Sequence, residues 1–446
     1  MPSEMDAAAR DGVTSVPTPT FGEAFAVWTR IGFLSFGGPA GQIALMHRIL
    51  VDERKWIDER GFLQALNFCM LLPGPEATQL ATYVGWRMHG IRGGLAAGLM
   101  FVLPGALLML LLSALYAVFG KLPLAAALLV GVKAAVLAIV VEALIRIARR
   151  GLKEPAHQWL AALAFVAIFF FAVPFPVIVL AAALYGFVTG GGGVRDVAMD
   201  TELKRQSRSD MFAATLRTTA VWLAIWLLPL AALAVVLGSD HVLTQIGWFF
   251  SKLAVVSFGG AYAVLAYVAQ DAVQYYRWLV PGEMVDALGL AETTPGPLIL
   301  VTEFVGFLAA HRHGGGPPLL MGTLGAIVTI WATFAPCFLW IFVGAPYLDR
   351  INAEPRLRAA LSAVTAAVVG VILNLTVWFA LHVLFARTEA IWYGPLRLHL
   401  PELPSIDVIA AALAIVAALM LFRLHQGIMT TLAVCGGLGI AWHLLT

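Results

Sequence analysis

The sequence predicts an all-α polytopic membrane protein built from two inverted-topology helical repeats with broken or re-entrant helices. Three observations point there. Of 446 residues, 61% are hydrophobic and 12% are charged, half the charged fraction of a soluble domain, and mean hydropathy is +0.87. Pro73-Gly74-Pro75 interrupts an apolar stretch and returns as Pro295-Gly296-Pro297. Around these motifs a whole set of residues recurs at a constant spacing, the mark of an internal duplication.

Residues 1–20 are polar, carry Pro17 and Pro19 and lack an apolar core behind basic residues. They predict a disordered cytoplasmic tail and no cleavable signal peptide. The first repeat is placed at 21–189. Its opening apolar segment, 24–46, is interrupted by Ser35-Phe36-Gly37-Gly38-Pro39, and the stretch 52–60 is too charged for hydrocarbon. The segment 62–86 holds the first Pro-Gly-Pro, and two long apolar stretches follow, 93–119 with Pro104 inside and 124–147. Residues 158–189 would measure roughly 48 Å as one helix against a core of about 30 Å. Pro174-Phe175-Pro176 divides them into two short helices. A glycine-rich, then basic and polar, linker spans 190–211, a connecting transmembrane helix is expected over 212–240, and the second repeat fills 241–446.

The duplication is checked by offset. Ser35, Phe36, Gly37, Gly38, Trp56, Pro73, Gly74 and Pro75 reappear 222 positions later as Ser257, Phe258, Gly259, Gly260, Trp278, Pro295, Gly296 and Pro297. Gly93, Pro104, Pro123 and Ala134 reappear after 232 as Gly325, Pro336, Pro355 and Ala366. Six segments in each half and one between them make about thirteen. Equivalent elements are then separated by an odd number of crossings, so the halves face opposite ways. With the N-terminus inside, Arg92, Arg146, Arg149, Arg150, Lys153, Lys204, Arg205 and Arg208 fall in cytoplasmic loops, as the positive-inside rule expects.

Irregular backbone at membrane depth is tolerated where it is buried in protein or lines a cavity. A Pro-Gly-Pro removes two backbone donors and leaves the next half-helix with free N–H groups, which suit an oxyanion. The candidate substrate site therefore joins Gly37, Gly38, Pro73, Gly74 and Pro75 to Gly259, Gly260, Pro295, Gly296 and Pro297. Packing points between helices are the plainer reading of the same breaks. Neighbouring polar residues complete the lining: Ser35, Gln42, Thr78 and Gln79, with Ser257, Thr293, Thr294 and Thr302 opposite. Arg30 and its counterpart Lys252 are expected to supply charge, as is Lys133, which aligns with Thr365. Snorkelling to headgroups, or for Lys133 a pairing with Glu142, is the alternative. Glu76, Glu142, Glu292 and Glu303 are candidates for proton coupling, and a helix-capping role competes for Glu76.

The sequence contains no P-loop, no HExxH and no nucleophile elbow, so neither an enzyme nor an ATP-driven pump is expected. Cys69, Cys337 and Cys435 lack metal or disulfide spacing. No metal, cofactor or nucleic-acid partner is implied, and a metal role for the neighbouring His311 and His313 is the weaker reading of that pair.

Ser35-Phe36-Gly37-Gly38-Pro39, Leu72-Pro73-Gly74-Pro75, Tyr83-Val84-Gly85-Trp86 and Lys133-Ala134-Ala135-Val136 resemble the signatures of the chromate transporter family. So do Ser257-Phe258-Gly259-Gly260, Thr294-Pro295-Gly296-Pro297 and Phe304-Val305-Gly306-Phe307. The resemblance covers nearly the whole chain and is to the long, two-domain form. It implies a multi-pass carrier of the bacterial inner membrane that exports chromate, confers chromate resistance and draws on the proton-motive force. Its partners would be chromate, with sulfate as a competitor, the lipid bilayer and a second copy in a homodimer. A carrier for sulfate or another oxyanion, or a membrane scaffold subunit, is the alternative. The second half departs from the first where Leu298 follows Pro297 and where Cys337 follows Pro336.

Overall fold

The computed structural model describes residues 19–190, 208–258, 261–348 and 354–445. The expected tail, most of the linker, and Gly259 with Gly260 lie outside them. The described chain is an all-α membrane protein. Six helices are long and apolar enough to cross a bilayer, and four shorter apolar helices accompany them. Leu103, Leu107, Leu111 and Leu115 recur every fourth residue and are all exposed, an outward apolar stripe that suits lipid rather than water.

Each half opens with two broken pairs of helices. In the first, α1 (Phe21–Leu34) breaks at Ser35 and continues as α2 (Gly38–His47). After a π turn at Arg48–Glu53 come α3 (Glu59–Leu71), the Pro-Gly-Pro break and α4 (Glu76–Phe119). Non-helical angles at His89 and Gly90 divide α4 into two rods. α5 (Pro123–Gly151) is a long span, and α6 (Pro155–Phe171) and α7 (Phe175–Thr189) are the two short helices that Pro174 separates. The extra helix, α8 (Arg208–Leu237), packs Trp222, Trp226 and Leu230 into the core of the first half.

The second half repeats the plan with α9 (Val242–Val256), α10 (Ala261–Val268), a π turn at Ala269–Tyr275 and α11 (Pro281–Thr293). Then come α12 (Val301–His313), α13 (Pro318–Gly344) and α14 (Pro355–Leu384). The agreement reaches single dihedrals: Lys55 and Arg277, 222 apart, both take the left-handed conformation, at φ 53° and 54°. That region is uncommon for a side-chain-bearing residue. α15 (Val408–Ala418) and α16 (Ile428–Leu445) close the chain. Before them, and without counterpart among the described residues, β1 (Thr388–Tyr393) and β2 (Leu396–Pro401) form one short antiparallel hairpin in the otherwise all-α chain.

The halves interlock at their breaks. The Gly74 N–H donates to the Ser257 carbonyl and the Gly296 N–H donates to the Ser35 carbonyl, each at 2.8 Å. Two breaks thus satisfy each other's orphaned backbone groups across the repeat boundary. Gly74 and Gly296 hold φ of 119° and 83°, where a Cβ is strained. Each also packs on the partner of Pro104 or Pro336: Gly296 on Gly105, and Gly74 on Cys337. Cys337, a departure at sequence level, stands where the other repeat has Gly105, whose Cβ position is already taken by the Pro295 carbonyl and Leu300.

Candidate functional site

Beside the first Pro-Gly-Pro lies a cavity of about 680 Å³. It runs from the exposed side chains of Arg48, Asp52 and Arg150 to the buried Cys69 and Tyr262. Its wall includes Pro39 and Ala40 in the first turn of α2, and Gly74 and Glu76 at the start of α4. Neither helix start has a side-chain cap, so first-turn N–H groups without an intrahelical acceptor border the space. The second half contributes Phe258, Ala261 and Tyr262, and Leu361, Val364 and Thr365 from α14. Basic character comes from His47, Arg48, Arg146 and Arg150. Glu142 holds Arg146 at 3.6 Å.

The sequence-derived residues divide into three groups. Gly74 and Glu76 line the cavity, and Gly38 precedes its wall at Pro39. A second group brackets the breaks but is occupied locally. Gln42 Nε2 donates to the Gly296 carbonyl at 2.6 Å, and Gln79 Nε2 donates to the Pro73 carbonyl at 2.7 Å. The hydroxyls of Ser35, Ser257, Thr293, Thr294 and Thr302 donate back to carbonyls of their own helices, the usual habit of Ser and Thr in helices. Thr78 Oγ1 is buried without a partner.

The third group lies elsewhere. Arg30 is exposed on α1, 3.7 Å from Glu53. Lys252 is exposed on α9, its ammonium 5.8 Å from the centre of the Tyr267 ring. Neither reaches the cavity. On α1 the buried face is Ala24, Val27, Trp28 and Ile31, and at about 100° per residue Arg30 falls off that face. Lys133 does not pair with Glu142 but lies 3.3 Å from Asp286, whose other oxygen accepts the Tyr116 hydroxyl at 2.8 Å. Glu292 accepts from Tyr262 at 2.8 Å, which places it one side chain behind the cavity wall. Glu303 is buried with neither oxygen partnered. His311 and His313 end α12, where His311 stacks on Phe307.

The region equivalent to the cavity in the other repeat is closed. Ala44, His47, Arg48 and Asp52 correspond to Ala266, Ala269, Gln270 and Gln274, which line a cleft of about 30 Å³, room for one water. Phe169, Trp378 and the hairpin residues Arg397 and His399 fill it. Arg397 donates to Gln274 Oε1 at 2.9 Å. Thr365, on the cavity wall, corresponds to Lys133, which is ion-paired to Asp286.

Sequence reasoning missed Arg146, Arg150, Tyr262 and Asp286 as members of this region. The first two had a signal: α5 continues through both arginines to Gly151, so residues taken for loop charges lie on a helix face, four apart.

The chain is similar to known proteins along most of its length. A family model described as "Chromate transporter" matches residues 22–187 and again 244–440. The "Chromate transport protein" of Pseudomonas aeruginosa is 36% identical over 375 residues, 82% of each chain. That of Cupriavidus metallidurans is 31% identical over 373 residues, 83% of this chain and 85% of the relative. A "Probable chromate transport protein" of Synechococcus elongatus is 30% identical over 345 residues, 77% and 80%. No solved structure matches.

Proposed function

The chain belongs to the chromate transporter family, and on that footing we propose that it is a secondary active transporter that exports chromate through the cavity beside Pro73-Gly74-Pro75. One observation carries the reading. The cavity joins two uncapped helix starts to Arg48, Arg146 and Arg150, and a tetrahedral dianion needs what these supply: N–H donors, positive potential and guanidinium forks. Sulfate has the same shape and charge and is the expected competitor.

The cavity opens beside Arg146 and Arg150, at the basic end of α5, which the positive-inside rule puts in the cytoplasm. Its pseudo-symmetric counterpart is packed shut. One open and one closed vestibule, related by exchange of the repeats, is what alternating access requires of inverted halves. Export inverts the arrangement: the Lys133–Asp286 contact parts while the cavity closes. An interior-negative potential favours an outward-moving anion by about 2.3 kcal/mol per charge per 100 mV. Glu76 shares the cavity with the proposed anion site. Protonating it removes a like charge from beside a dianion, so proton and anion bind together and leave together, and the membrane potential acts on the net charge of the pair.

Chromate flux into inverted membrane vesicles tests this. The wild-type chain should drive saturable uptake that sulfate inhibits. The Arg146→Gln/Arg150→Gln double variant should raise the KM for chromate roughly tenfold, the worth of one charge-assisted hydrogen bond. Unchanged kinetics in that variant would remove the cavity from the transport path, and absence of flux in wild type would remove the function.

A further inference from the structure

A second crevice, of about 530 Å³, lies on the outer side of the same arginines, between the end of α5 and the turn joining α15 to α16. We propose that it binds the phosphate headgroup of an anionic phospholipid. Its lining is mostly basic. Arg146, Arg149 and Arg150 face a single acid, Glu142, and His425 stands on the opposite rim. Only Arg146 has a carboxylate within 4.0 Å; among the described residues Arg149 and Arg150 have none. All three arginines sit in the last two turns of α5, where the helix dipole favours cations.

His425 is the more telling residue. It holds a left-handed backbone at φ 52°, a conformation that is strained for a non-glycine residue. Its Nδ1 lies 3.2 Å from the Arg423 carbonyl. An Nδ1–H donated there leaves Nε2 as the ring nitrogen open to a ligand. Strain held at a cationic rim is common where a ligand is clamped.

The choice of a lipid over a free anion follows from what adjoins the crevice. Leu421 and Phe422 form part of it. Phe422 is exposed, as are Leu419 and Ile415 before it. These three are spaced by three and four residues through α15 and its π turn, so they share one face. An apolar stripe leading away from a cluster of guanidinium groups matches an acyl chain below a phosphate. Basic pockets between spans are where acidic lipid headgroups bind. Arg146 and Arg150 line both this crevice and the large cavity, so a bound headgroup sets how much positive charge is left for the transported anion.

The test uses the purified full-length chain in detergent and measures binding of phosphatidylglycerol, phosphatidylcholine with the same acyl chains, and inorganic phosphate. Phosphatidylglycerol should bind at least about fivefold more tightly than phosphatidylcholine. Arg149→Gln/His425→Gln should erase that preference, because these residues line the crevice and not the large cavity. Arg149→Lys should keep most of it. Equal binding of the two lipids would overturn the proposal, as would an undiminished preference in the double variant. Inorganic phosphate displacing phosphatidylglycerol at comparable concentration would also overturn it, by making the crevice a site for a free anion.

Discussion

The large cavity and its counterpart are built from equivalent elements, yet one holds about 680 Å³ and the other about 30 Å³. The two Pro-Gly-Pro breaks share reciprocal hydrogen bonds at Gly74 and Gly296, although a 3-10 turn at Leu298–Leu300 follows only the second. What differs is the side chains around them. His47, Arg48 and Asp52 edge the open side, where the closed side has Ala269, Gln270 and Gln274. Arg146 and Arg150 are replaced by Trp378 and His382, whose rings pack tilted against each other with centroids 4.3 Å apart. The breaks are therefore a shared framework, and the flanking residues are where the two regions differ.

The largest expected effect comes from attacking what the two regions share. Gly74→Val and Gly296→Val each force a β-branched residue into a left-handed conformation. They also place atoms against Cys337 and Gln79 in one case, and against the Phe101 carbonyl in the other. Steric strain of this kind costs about 1–3 kcal/mol before any clash is counted. Each variant should lose most of its folded protein, read as monodisperse yield from membranes and residual chromate flux. If only one variant fails, the two breaks are not equivalent and do not act as a shared framework.

A smaller, one-sided effect follows from Lys133 and Asp286. Removing Asp286 leaves a lysine that is one-quarter exposed without its partner, and a half-removed pair is worse than none. Asp286→Ala should loosen the closed side: a cysteine at Val285 becomes several-fold more reactive to a membrane-impermeant thiol reagent. A cysteine at Met70, which lines the open cavity, should become less reactive in step. Lys133→Met/Asp286→Leu should restore closure by replacing the pair with apolar packing. Reactivity at Val285 that is the same in Asp286→Ala as in the wild type would show that the pair does not hold this side shut.

The duplication, the breaks and the added α8 were readable because they depend on Gly and Pro, whose backbone effects are local. α11 begins and ends 222 residues after α3, at Pro281 and Thr293 against Glu59 and Leu71. The lining was less readable because it depends on which face each helix turns inward. Offset alone paired Arg30 with Lys252, whereas the 3.6-residue period of α1 already set Arg30 off the buried face. Asp286 meets Tyr116 across 170 positions, and no local pattern announces such a contact. The hairpin did have a signal, the strict alternation Leu396-Arg397-Leu398-His399-Leu400 after Gly394-Pro395, which marks a strand. Its effect on the closed cleft became visible only when α6 brought Phe169 beside it.

That hairpin gives the smallest and most specific way to sharpen the comparison, because among the described residues no equivalent covers the open side. Burial, reinforced by Arg397 and His382, pushes the His399 imidazole down to about 4 from its ordinary value near 6.5. The docked hairpin therefore keeps His399 neutral, 5.6 Å from the Phe169 ring centre, whereas a released hairpin takes up a proton below about pH 6.5. By linkage, docking is at full strength above pH 6.5 and weakens as pH falls toward 4. Hydrogen–deuterium exchange over residues 388–401, corrected for the intrinsic rate, should quicken severalfold between pH 7.5 and pH 5. In His399→Gln the same stretch should exchange independently of pH, because the group that binds the proton is gone. A wild-type profile as flat as that of the variant would mean that the hairpin covers the closed cleft without depending on a neutral His399.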